Sequence, residues 1–456
     1  MADANASQKK VIAIIGGGVS GLYAAWKLVY EKNLTDVDIH IYEATQKCSG
    51  RIYTAWNFQG FPIELGAARF SKYVHPVLNS LVERFAFKTL PYVYANRFWH
   101  LRGKKLSLED IAAGKGTYEL RENEIGKYTD NLYEHTETSS IRTPEEINAM
   151  SFHEYLAEHI SEEACQFFRD AEGYDLLLGD WLSGADGVRA VKQHPDMLPH
   201  GEVSWFHIVG GFHKLINTLE EQIRERGVKI FANHRLIEVV QNPESVTLYL
   251  ETDENNDSIV KFVEAERVLL CVKRLDLADI TIDLSQEKLT AMEAVEPIPM
   301  VKMFATYTNS WWSTFSRRDG NFCITDMPIR KIYYGPGHHL MFYSDSESAL
   351  YWKDLISESG KNPEALLGEV QRQLATIYRM DPAKLPRPNA FYSKFWSTGI
   401  HVWRRNSNPV EVRNLLMGTA QDRIHIAGES FAVNAGWVEG ALETIDLLVD
   451  SVLYPA

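Results

Sequence analysis

The chain has 456 residues, 45% of them hydrophobic and 24% charged, and a formal net charge of −14. That length supports two or three domains with real cores. The acidic balance argues against nucleic acid or an anionic membrane surface as partner.

Cys48, Cys165, Cys271 and Cys323 follow no C-x-x-C spacing, so they suggest neither a zinc site nor a disulfide framework. No metal site is expected. The opening "MADANASQKK" is polar, and no run reaches the roughly 18 apolar residues of a membrane span. The closing helix carries Glu443, Asp446 and Asp450. A cytoplasmic protein is the expectation.

In chain order, residues 11–15 form a buried apolar strand and Leu22–Val29 the helix after it. "VDIHIYEA" (37–44) alternates as a second strand, completing a βαβ unit. Residues 76–200 are mostly helical, with "YEHTETSSIRTPEEINAM" (133–150) as a polar surface excursion. "HIVGGFHKLINTLEEQIRERGVKIFANHRLIEVVQ" (207–241) returns to turn, helix and strand. Residues 297–400 are rich in aromatic and β-branched residues and predict an antiparallel sheet. The tail "DRIHIAGESFAVNAGWVEGALETIDLLVDSVL" is again strand, Gly-rich turn and helix.

Gly16-Gly17-Gly18-Val19-Ser20-Gly21 fits G-x-G-x-x-G between a strand and a helix. Gly16 permits the tight turn, Gly18 lets a pyrophosphate approach the backbone, and Gly21 lets helix pack on strand. The helix N-terminus then faces the phosphates. Glu43, at the end of the second strand, stands where a carboxylate meets the ribose hydroxyls. Arg51, in "KCSGRIYT", brings a guanidinium toward the pyrophosphate or the second half of the dinucleotide.

The glycine motif, Glu43, the Gly50-Arg51 pair, "IELGAARF" and "IAGESFAVNAGWVEGALETI" together resemble the flavin-containing amine oxidase superfamily. "IELGAARFSKYVHP" and "DMPIRKIYYGPGHHLMFYSDSESALYW" resemble its L-amino acid oxidase branch, in particular members that oxidise tryptophan. The likeness covers both ends and the middle of the chain. Ser49 stands where many relatives have Gly, and so does Ala68; neither change removes a charge.

The resemblance implies an α/β amine-oxidase fold: a discontinuous Rossmann-like FAD domain, a mixed-sheet substrate domain and a helical domain. The FAD domain would comprise 9–75, 201–290 and 416–456. Residues 76–200 would be mostly helical and 291–415 would bind substrate. Ala67 and Ala68 would lie in the turn against the flavin, Leu236 in the segment whose backbone meets the adenine, and Gly428 and Glu429 at the cofactor. The helix after Trp437 and Val438 would point its N-terminus at the flavin, where it favours negative charge.

By the same resemblance, Arg69 pairs with the substrate α-carboxylate, and Tyr343 donates a hydroxyl to it. Lys302 holds a water near the flavin and assists reoxidation by oxygen. Trp437 forms an aromatic wall. Tyr174 and His194 fall where side-chain contacts are made. The implied activity is oxidative deamination of L-amino acids by non-covalent FAD and O2, with hydrogen peroxide as product. The "WW", "IYYG" and "FYS" strings and the resemblance point to large hydrophobic or aromatic side chains. A monoamine or polyamine oxidase and a flavin desaturase are the alternatives. A homodimer is the expected assembly.

Overall fold

The computed structural model describes residues 9–57, 59–91, 97–192, 205–254, 257–313, 322–335 and 337–455. His194 lies outside them.

One sheet is wholly parallel. Its central strand Lys10–Ile15 pairs with Val37–Tyr42 on one side and Arg267–Leu270 on the other; Lys229–Phe231 and Ile424–Ile426 form the edges. Both faces of such a sheet are covered, so its central strand is apolar from Val11 to Ile15. Ile12 and Ile14 pack with the helices Val19–Trp26, His213–Glu225 and Val438–Leu447. Ala13 and Ile15 face the opposite way, onto a four-stranded sheet built largely from Arg235–Gln241, Val246–Glu254 and Asp257–Ala265. The five parallel strands come from the start, middle and end of the chain, so the Rossmann-like domain is discontinuous.

The second large sheet has seven strands. Val295–Thr306 lies between Ala390–Trp403 and His339–Asp345, and Lys331–Gly335, Phe322–Thr325, Arg97–Leu101 and Lys104–Leu106 follow in order. Most pairs are antiparallel; Phe322–Thr325 runs parallel to Arg97–Leu101, which makes the sheet mixed. Val301, Met303 and Ala305 pack onto the helices Ser346–Glu358 and Pro363–Tyr378. Ile298 and Phe304, from the opposite face, pack toward the helical segment, with Leu132, Phe152, Phe167 and Phe168. Lys302 shares that second face, because strand side chains alternate.

One expectation is refined and another corrected. The stretch 133–150 lies at the surface over most of its length, as expected, but much of it is helical. It holds the end of a helix, Thr129–Ser139, and a second helix, Pro144–Ala149, capped by Thr143. Thr129, Leu132, Tyr133 and Thr136 are buried at helical spacing; polarity concealed a stripe of few apolar residues. Trp311, Trp312 and Tyr334 pack with Tyr307 and Tyr378 in a ring cluster on the face of the sheet away from Lys302. The "WW" pair and Tyr334 are therefore core packing, whereas Tyr333 of "IYYG" and Tyr343 of "FYS" face a cavity.

Candidate active site

A cavity of about 1180 Å³ runs from the ends of the parallel strands to the face of the seven-stranded sheet that carries Lys302. Single small-molecule sites commonly measure about 300–1,000 Å³, so there is room for a dinucleotide and a second molecule. Gly16, Gly18, Glu43, Arg51, Ala67, Ala68, Arg69, Leu236, Lys302, Tyr343, Gly428, Glu429, Trp437 and Val438 all line it. Gly21 does not. It lies beneath the turn, where an added Cβ would fall 2.0 Å from the Gly16 carbonyl oxygen.

One end of the cavity is shaped by backbone. Gly16 has φ +102°, and a Cβ there would meet the Cys271 carbonyl oxygen at 2.7 Å. Gly50, at φ +59°, approaches Gly18 so closely that its Cβ would fall 3.1 Å from the Gly18 Cα. Both positions require glycine. Glu43 braces the turn: Oε2 accepts from the Gly17 amide at 2.7 Å, and Oε1 from the Thr45 amide and hydroxyl at 2.8 and 2.7 Å.

Glu429 is the electrostatic hub of the middle section. Arg51 Nη1 lies 2.6 Å from its Oε2, and His401 Nδ1 lies 2.7 Å from the same oxygen. The amides of His401 and Gly436 donate to Oε1 at 3.0 and 2.7 Å. Burial alone would raise its pKa, but Arg51 and His401 outweigh burial and hold the carboxyl well below the usual range.

Side chains shape the other end. The register sets Lys394, Lys302, Tyr343 and Lys331 in one row across four neighbouring strands. Lys302 Nζ donates to the Gly66 carbonyl at 2.5 Å. Burial pushes its pKa down to about 8; Glu64 opposes that shift and Arg69 adds to it. Burial raises the Tyr343 pKa far above 10.0, so its hydroxyl stays protonated and can donate.

Phe70 and Phe206 exchange backbone hydrogen bonds, which brings Arg69 to Trp205. The guanidinium carbon lies 4.0 Å from the Trp205 ring centroid, and Trp205 stacks on Trp437 at 5.1 Å. His75 closes the group, 4.9 Å from Trp437. Burial first, and Arg69 second, lower the His75 pKa to about 4, so it is neutral. Glu439 accepts from the amides of Val77 and Leu78, both at 2.8 Å, fastening the closing helix to the one that His75 begins.

Trp205, His75 and His401 escaped the reading of the sequence. Each is a lone aromatic or imidazole in an ordinary stretch, and only tertiary packing gives it a partner. Tyr174 does reach the site, packing edge-on against Tyr343 at 5.8 Å.

Outside the cavity, His153, Glu162 and Cys165 offer donor atoms within 4.8 Å of one another. The 2.9 Å contact of His153 with Glu162 and the burial of Cys165 account for that grouping. All four cysteines are free. Among the described residues, no helix is long and apolar enough to cross a membrane.

The model of the flavin-containing amine oxidoreductases matches residues 19–444, and the chain belongs to that family. It is 24% identical over 466 residues to the L-amino acid oxidase of Bothrops pictus, covering 96% of this chain and 89% of that one. The L-amino-acid oxidase of Bothrops atrox is 23% identical, with 96% and 87% covered. Aplysianin-A of Aplysia kurodai is 23% identical, with 96% and 89% covered. The chain is thus a flavoprotein oxidoreductase, and its cofactor is FAD. The glycine cradle fits that group: at Gly16 and Gly50, Cβ atoms would intrude on backbone that a pyrophosphate must approach.

Proposed function

We propose that the protein is an FAD-dependent L-amino acid oxidase that favours large hydrophobic or aromatic side chains. The observation that carries this reading is Arg69. A guanidinium held over the Trp205 ring lines the cavity, close enough to Lys302 and Tyr343 to act on both electrostatically. An oxidase of simple amines has no use for such a cation; a carboxylate has. The names of the Bothrops relatives support the same reading.

Gly16 and Gly18 would admit the pyrophosphate of FAD, Glu43 would accept from the ribose, and Leu236 would border the adenine. Arg51, Gly428, Glu429, Ala67, Ala68 and Val438 would border the rest of the cofactor. When bound, FAD would supply the two-electron acceptor for the hydride of the substrate Cα–H, leaving a Cα=N double bond, and a route for those electrons to O2. Overall, the amino acid loses two electrons and two protons, O2 becomes hydrogen peroxide, and water hydrolyses the imino acid to a 2-oxo acid and ammonia.

The chain supplies position and charge. Arg69 pairs with the α-carboxylate, and the protonated Tyr343 hydroxyl donates to it. Trp205 and Trp437 hold Arg69 in place and exclude water from that side. Lys302, when protonated, stabilises the negative charge that oxygen acquires. No base is required if the amine binds neutral.

A panel of L-amino acids, D-amino acids and decarboxylated amines, scored by peroxide release, tests this reading. The expected result is peroxide from L-amino acids with large side chains and little from the matching amines. Equal rates with amines would overturn it.

A further inference from the structure

The helical segment adds Tyr128, Thr129, Tyr133, Phe168, Glu172 and Tyr174 to the cavity wall. Because Tyr174 packs against Tyr343, this wall adjoins the end where Arg69, Lys302 and Tyr343 gather. Its rings suit a flat side chain, but Glu172 breaks the apolar surface. The Thr129 hydroxyl donates to Glu172 Oε1. Among the described residues, Oε2 has no hydrogen-bond partner and the carboxylate forms no ion pair. Lys331, a buried amine on which Glu172 acts electrostatically without an ion-pair contact, is turned onto the Tyr174 ring, 3.0 Å from its centroid. Glu172 is half-buried on the cavity wall, so a bound molecule that displaces solvent from Oε2 must supply a donor in its place or leave the carboxylate unpaired. The charge of that donor is constrained as well. Arg97 lines the same cavity and donates to the Tyr128 hydroxyl at 3.2 Å, and its cation disfavours a second cation beside it.

We propose that Glu172 determines side-chain specificity, with Oε2 accepting a hydrogen bond from a neutral donor on the far edge of an aromatic side chain: an indole N–H or a phenol O–H. The inference rests on the reading of Arg69 as the carboxylate partner, which orients the side chain toward this wall. A site built to accept from a donor discriminates strongly against an analogue that lacks it, because its own polar group is then left unpaired.

Near-isosteric pairs test the proposal. L-Tyrosine is compared with L-phenylalanine, and L-tryptophan with β-(benzothiophen-3-yl)-L-alanine, in which sulfur replaces N–H. The wild type is expected to favour the donor-bearing member by about tenfold to a hundredfold in kcat/KM. Glu172→Leu should bring both ratios close to one, with FAD content unchanged. Ratios near one in the wild type would overturn the proposal whatever the variant does, and so would ratios that survive Glu172→Leu. If amino acids are oxidised but the ratios are flat, only the role of Glu172 fails. If no L-amino acid yields peroxide, the oxidase reading fails and takes this inference with it.

Discussion

The two ends of the cavity are built from different materials. At the glycine turn the walls are main chain: Gly16 and Gly50 at positive φ, the N-terminus of the helix Val19–Trp26, and strand ends brought together by parallel pairing. At the seven-stranded sheet the walls are side chains. Lys394, Lys302 and Tyr343 come from three strands, Arg69 from a loop backed by Trp205, and Glu172 from a helix. A backbone site tolerates little change in sequence, because a Cβ is either admitted or not. A side-chain site can be rewritten residue by residue while the sheet beneath it stays the same. The comparison explains how one fold can keep its cofactor and vary its substrate.

Substitutions can break that contrast, and the largest effect belongs to the backbone end. Gly16→Val places a β-branched residue at φ +102° with its Cβ 2.7 Å from the Cys271 carbonyl oxygen. The purified protein is expected to lack flavin absorbance altogether. Retention of FAD at wild-type stoichiometry would show that the turn does not require glycine.

Next comes the hub between the ends. Glu429→Ala strands Arg51 and His401, and breaking a buried pair costs about 3–5 kcal/mol. The carboxyl is held below its ordinary value of 4.5. Its contribution to stability is therefore full above pH 4.5 and is lost as pH falls below that value. Chemical denaturation at several pH values should show the wild type losing stability below 4.5, and Glu429→Gln losing measurably less over the same range.

At the side-chain end, Lys302→Met should slow reaction of the reduced protein with oxygen by about a hundredfold, the scale on which a preorganised charge-stabilising donor acts. Reduction by substrate should change much less. With its pKa at about 8, Lys302 loses its charge as pH rises through that value. The wild-type oxygen reaction should therefore slow above pH 8, and the variant's should be flat. Stopped-flow reoxidation across that range measures both. Tyr343→Phe removes one hydrogen bond to a charged group, about 1.5–3 kcal/mol, for a tenfold to hundredfold loss in kcat/KM. An unchanged value would remove the hydroxyl from the carboxylate contact.

The same contrast governs what could be read from the chain before its folding was known. Gly16, Gly18, Gly21 and Glu43 are legible because a backbone requirement leaves a spacing behind it. The parallel strands are legible because burial on both faces forces apolar runs such as 11–15. Arg69, Lys302 and Tyr343 come into view only through likeness to a family, since nothing in "AARFS" or "LMFYS" by itself says what the side chain meets. Trp205 and His75 leave no mark: their roles arise from the Phe70–Phe206 bridge and from the grip of Glu439 on the helix at Pro76. Glu172 is equally silent, one acid among many on a polar helix until Thr129 and Tyr174 place it at the wall.

Carboxylate recognition by Arg69 is isolated by assaying Arg69→Ala on two substrates that differ only in the carboxylate, L-phenylalanine and phenethylamine. Losing one partner of a buried charged contact costs roughly 2–5 kcal/mol. The kcat/KM for L-phenylalanine should then fall by about 30-fold to several-thousand-fold. Phenethylamine, already a very poor substrate of the wild type, should lose almost nothing further. Equal losses on both substrates, or a wild type that oxidises the amine as efficiently as the amino acid, would contradict the account.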